Sequence, residues 1–132
     1  MSRKFLTIAL GIALSAGAAS AQDADVGERS YMQFCATCHG ADGAGEGPLT
    51  QIISDKVPDL TQLSANNDGE FPMLDVIHVI DGRTGLRGHG GPMPVYGALF
   101  DEEVENPGPF GAVLYTRGRI LSLAYYLESL QQ

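Results

Sequence analysis

The sequence predicts an all-α fold of three main helices joined by loops, and three observations carry that prediction. Apolar residues recur at helical spacing in three stretches, Asp25 to Thr37, Phe71 to Asp81 and Arg117 to Ser129. The segments between them are rich in glycine and proline, which interrupt periodic structure. At the end of the first stretch stands Cys35-Ala36-Thr37-Cys38-His39, which holds the only two cysteines of the chain. C-x-x-C followed by histidine reads as the attachment site of a c-type haem, around which the loops would wrap.

Ahead of the helices lies an export signal. Arg3 and Lys4 give a positive start, Phe5 to Ala19 is apolar and small, and Ala19-Ser20-Ala21 is an A-x-A cleavage site. The rival reading is an uncleaved anchor, but this apolar stretch is shorter than the roughly 20 residues a membrane span needs. Residues 1–21 are therefore expected to be a cleaved signal peptide. Residues 22–132 would form one periplasmic domain with no membrane span. Haem is attached to c-type apoproteins outside the cytoplasm, so signal and motif support each other.

The first helix is expected over Asp25 to Thr37, capped by Asp23 or Asp25 and with Glu28 in its first turn. Val26, Ser30, Tyr31, Phe34 and Cys38 share one face. Cys35 and Cys38 lie one helical turn apart, so each thiol can add to one vinyl group of the same porphyrin. His39 follows as proximal iron ligand. A zinc site wants about four N/S ligands at close spacing, and no second Cys/His pair exists. A thioredoxin-type site wants a βαβ setting, and a plain disulfide leaves His39 without a role.

Gly40 to Pro48 is a glycine-rich loop. No Lys-Ser/Thr follows it, so it is not a phosphate cradle, and a tight bend past the porphyrin edge is expected. Leu49 to Ser54 suits a short helical turn, Val57-Pro58-Asp59-Leu60 is extended, and Asn66 to Gly69 is a turn. The second helix, Phe71 to Asp81, has Pro72 near its first position and Gly82 beyond its end. Met73, Val76, Ile77 and Ile80 form its apolar face. Gly82 to Gly97 holds six glycines and two prolines and is expected to be a loop. Asp101 to Glu105 suits a helical turn, and Asn106-Pro107-Gly108-Pro109 breaks it. In the final helix Ile120, Leu123, Ala124, Leu127 and Leu130 form the apolar stripe.

Residues 22–132 keep all 16 acidic residues but only six Lys and Arg, a formal charge of −10. That charge disfavours nucleic acid and anionic membrane surfaces as partners. A redox protein with a basic docking patch is favoured, and Asp101 to Glu105 is the acidic cluster nearest the downstream methionine. The bland alternative is charge for solubility alone. No Ser-His-Asp set or paired carboxylates point to substrate chemistry, and a single C-x-x-C-H implies one haem.

A sixth iron ligand is sought among Met93, Met73, Met32, His78 and His89. Met32 is too close to Cys35 to reach the opposite haem face, Met73 lies on a core face, and His78 lies off it. His89 and Met93 remain. Prolines flanking Met93 hold its backbone extended and stiff, whereas bis-histidine ligation would lower the reduction potential. Arg83 and Arg87 could pair with a haem propionate or remain solvated, and Tyr96 and Tyr115 could bond a propionate or simply pack.

These features resemble a class I, mitochondrial-type cytochrome c: C-x-x-C-H after an N-terminal helix, a Met-bearing loop, and a last helix ending in Tyr-Leu. More narrowly the chain resembles small bacterial periplasmic monohaem cytochromes, with Cys38-His39-Gly40-Ala41-Asp42-Gly43 opening the loop and Met93-Pro94-Val95-Tyr96-Gly97 where tryptophan commonly takes the place of Tyr96. The resemblance implies one covalent haem c on Cys35 and Cys38, His39 and Met93 as axial ligands, and single-electron transfer. It implies that the first and last helices cross at Gly27 and Tyr31 against Tyr126 and Leu127. It also implies that His39 donates its second ring N–H to a proline carbonyl, Pro58 or Pro48. A haem subunit of a periplasmic redox enzyme, or a gas- or substrate-binding haem protein, is the alternative.

Overall fold

The computed structural model describes residues 16–83, 92–106 and 108–132, with side chains from Asp25 onward. The described chain is helical and contains no strand. Its α-helices are α1 (Ala16–Phe34), α2 (Ala36–His39), α3 (Met73–Asp81), α4 (Tyr96–Glu102) and α5 (Gly108–Ser129), with 3-10 turns at Pro48–Gln51 and Leu60–Gln62.

The most extensive packing joins α1 to α5. Gly27 makes it possible: a Cβ there would lie 2.8 Å from Tyr126 Cβ and closer still to the Ser122 carbonyl oxygen. Tyr31 fills the crossing, with its ring centroid 5.2 Å from that of Tyr126. The stripe read from the last helix is the core face. Ile120, Leu123, Ala124 and Leu127 are buried there with Tyr31, Val76, Ile80, Tyr96 and Phe100, and Leu130 packs against them. Gln131 then ties the end of α5 to the loop above it: its Nε2 donates to Leu60 O at 2.8 Å and its Oε1 accepts from Ser64 N at 2.8 Å.

Five boundaries differ from expectation. α1 begins nine residues before Asp25 and runs through Ala19-Ser20-Ala21, because the alanine-rich stretch has high helix propensity. Asp23 and Asp25 are therefore interior rather than capping. α1 ends at Phe34, and the attachment motif forms its own turn, with His39 N donating to Cys35 O at 2.9 Å. Pro72 is the N-cap of α3, not its first residue. The stretch expected as loop to Gly97 becomes helical at Tyr96, and α5 starts at Gly108, with Pro109 at its first turn rather than ending a preceding element. Pro at that position lacks only an N–H that would have no partner.

Candidate haem site

One apolar cavity of about 500 Å³ lies beneath α2, α3 and the residues leading into α4. That size falls within the roughly 300–1,000 Å³ of small-ligand pockets. Cys35, Cys38 and His39 line one side, the core residues Leu123, Leu127, Val76 and Ile80 form the floor, and Pro92, Met93 and Pro94 close another side.

The proximal half is built by the glycine loop. Gly45 adopts φ +83°, and a Cβ there would sit 2.8 Å from Val57 O and 3.0 Å from Pro58 O. Only glycine permits that approach. It seats Val57-Pro58 against the attachment turn, where the Pro58 carbonyl lies 3.4 Å from His39 Nδ1. A carbonyl can only accept, so Nδ1 carries the proton and Nε2 keeps its lone pair for a metal. Burial pushes the imidazole below its ordinary pKa, opposed by the Pro58 bond. The result is the neutral ligand form. Of the two prolines, Pro58 thus meets His39. The glycine loop does not skirt the cavity, as the sequence suggests; it stands behind His39 as a buttress, and none of Gly40 to Pro48 lines the cavity.

Cys35 and Cys38 are free thiols. Burial, and then the neighbouring Cys38, push the Cys35 thiol up to about 12. A thiol kept protonated in an apolar wall behaves as a small hydrophobe until it is alkylated.

Met93 is half-buried and lines the cavity with its two flanking prolines. Met73 packs against the core outside the cavity lining, Met32 is 48 % exposed on α1, and His78 is exposed on α3. His89 and Arg87 lie outside the described residues. Met93 is thus the one described member of the methionine and histidine candidates that shares the cavity with His39.

Three residues weighed as propionate partners each have a partner within the chain. Tyr96 is buried and its hydroxyl donates to Phe34 O at 2.6 Å, joining α4 to the end of α1. Tyr115 lies beside Arg119, whose Nη1 donates to its hydroxyl at 2.8 Å. Arg83 pairs with Asp81 at 2.5 Å and Asp101 at 2.7 Å. The acidic run 101–105 lies away from the cavity lining, because α4 carries the chain toward α5. Asp101 is held by Arg83 and Glu103 by Arg119.

Sequence reasoning missed Lys56, the one cation lining the cavity among the described residues, and Asp55 and Asp75 on the same walls. Nothing in the pattern around Lys56 marks it; its nearness in sequence to Pro58 was the available signal. It also missed Arg119. That guanidinium lies 4.9 Å from the Phe34 ring centroid and 4.4 Å from that of Phe100, with Nε donating to Ser30 Oγ at 3.2 Å. In sequence Arg119 is only one more charge on a helix.

The donor set and the cavity fit a haem: two thiols on one turn, a neutral imidazole with a free Nε2, and a thioether in the same apolar space. Residues 24–106, more than half of the chain, match the family model described as Cytochrome c. Comparison with curated proteins and with solved structures finds no match.

Proposed function

Because the chain belongs to the cytochrome c family, we propose that it is a periplasmic monohaem carrier that passes single electrons between redox proteins. Family membership makes it a protein of covalently attached haem c and haem-based electron transfer. The reading beyond that assigns Cys35 and Cys38 as the thioether attachments and His39 and Met93 as the axial ligands. The single observation that carries it is the meeting of these four residues on one apolar cavity.

The haem, once attached, supplies an iron that moves between ferric and ferrous states. The chain does the rest. Pro58 fixes the ring plane and tautomer of His39 and raises its basicity. Pro92 and Pro94 stiffen the backbone that presents the Met93 thioether. Val76, Ile80, Leu123 and Leu127 exclude water and keep the local dielectric low, so both oxidation states meet the same surroundings. A histidine and methionine pair raises the potential relative to two histidines, which suits delivery to a high-potential acceptor.

Export by residues 1–21 belongs to the same proposal, and no described helix is long and apolar enough to cross a membrane. Mature protein should begin at Gln22. The redox partner is proposed to dock through positive charge, guided by a surface of formal −10. Asp55 and Asp75 are the acidic residues that line the cavity.

The test is a spectral and redox titration of protein isolated from the periplasm. A carrier retains its haem through acidic organic extraction, titrates as one reversible electron, and binds carbon monoxide slowly when reduced. Haem lost on extraction overturns the attachment, and rapid carbon monoxide binding overturns the carrier in favour of an open site.

A further inference from the structure

We propose that Arg83 is the positioning residue that keeps Met93 on the iron, by locking the end of α3 against α4. The proposal rests on the reading of Met93 as axial ligand. Arg83 does not reach the cavity. Its Nε and Nη2 lie 2.5 Å and 3.3 Å from the two oxygens of Asp81, the last residue of α3, and its Nη1 lies 2.7 Å from Asp101 Oδ2 on α4. The other Asp101 oxygen accepts from the hydroxyl of Thr116, which is fully buried on α5. The guanidinium thus joins α3 to α4, and Asp101 carries the link on to α5.

The junction it closes has no slack. A Cβ on Gly97 would lie 2.6 Å from Arg83 Nε and 2.7 Å from Asp81 O. Gly82, with φ +66°, packs so that a Cβ there would be 3.3 Å from Val95 Cα. Gly82 and Val95 bracket the stretch that carries Met93, and Met93 stands only two residues before Val95. Where the bracket sits decides where the thioether sits.

Removing the guanidinium leaves Asp81 and Asp101 without the cation they share. Like charges repel, and that repulsion pushes α4, which carries Asp101, away from the end of α3, against which Gly97, near the start of α4, is packed. Met93 would be carried with it. The iron bond would then open more often, although Arg83 touches neither sulfur nor cavity.

The test uses ferric holoprotein and imidazole as competing ligand. Imidazole binds only the fraction in which sulfur is off the iron, so its apparent affinity scales with that fraction. Arg83→Gln should raise the apparent imidazole affinity by about tenfold, corresponding to a tenfold larger open fraction. Arg83→Lys, which keeps one charge but loses the fork, should recover part of the change. Glu103→Gln is the control, because it breaks the ion pair to Arg119 and leaves the junction alone. Equal affinities in Arg83→Gln and wild type overturn the proposal, as does an equal rise in Glu103→Gln. The wild-type spectrum separates this outcome from failure of the ligand reading: if ferric wild type lacks the sulfur-to-iron charge-transfer band, Met93 is not the ligand and the proposal falls with it. If Arg83→Gln does not fold, Arg83→Lys carries the comparison alone, with a smaller rise than tenfold expected and no rise refuting.

Discussion

Gly27→Ala should destabilise the holoprotein although alanine is the better helix former. The added Cβ would lie 2.8 Å from Tyr126 Cβ and nearer still to the Ser122 carbonyl. Neither obstacle can rotate away, since one is backbone and the other is the root of a side chain. α1 and α5 must therefore separate along the most extensive helix contact of the fold. Overpacking of this kind costs about 1–3 kcal/mol, and a backbone obstacle argues for the upper end. Replacing an interior glycine by alanine returns about 1 kcal/mol. The net loss is about 2 kcal/mol, or roughly 6–10 °C in melting temperature for a domain of this size. Gly118→Ala is the matched comparison: Gly118 is also a helical glycine, in α5, but a Cβ there meets nothing within 4 Å. It should stabilise by up to about 1 kcal/mol. Thermal unfolding followed by far-UV circular dichroism reads both, with haem content checked. Equal shifts in the two variants would refute the claim that Gly27 serves the helix crossing.

Burial, ahead of any charge effect, raises the Tyr96 phenol from 10.0 to about 12, so the folded state favours the neutral form. Its contribution to stability is complete below pH 10 and is lost as pH rises from 10 to 12. The urea midpoint of the holoprotein, whose cysteines carry no titrating thiol, should be level from pH 8 to 10 and fall above it, less steeply in Tyr96→Phe; a midpoint constant to pH 11.5 in wild type contradicts this. Electron transfer to the physiological acceptor should slow as ionic strength rises, and Asp75→Asn should slow it more than Glu102→Gln, because Asp75 lines the cavity and Glu102 does not. A rate indifferent to salt removes the basic partner from the account.

Helix identity was legible wherever one face is apolar and the other polar. The stripe from Ile120 to Leu127 and the face from Met73 to Ile80 both point to the core as their spacing requires. Ends were less legible, because each depended on what a neighbour supplies. Tyr96 starts a helix inside a proline- and glycine-rich stretch because its ring packs on Phe34 and its hydroxyl finds the Phe34 carbonyl, a partner 62 residues away in sequence. The attachment motif was visible from residue order and spacing alone. The Pro58 contact needed Gly45, whose positive φ is not written in any periodic pattern. Arg83 and Arg119 show the commonest blind spot: an arginine looks solvated until its carboxylates and rings arrive from other helices.

The axial pair of His39 and Met93 is tested most directly by the ferric absorption spectrum and reduction potential of wild type, Met93→Ala and Met73→Ala, measured side by side. Wild type and Met73→Ala should both show the sulfur-to-iron charge-transfer band, and only Met93→Ala should lose it, with a lower potential. A band that survives in Met93→Ala and disappears in Met73→Ala would contradict the assignment.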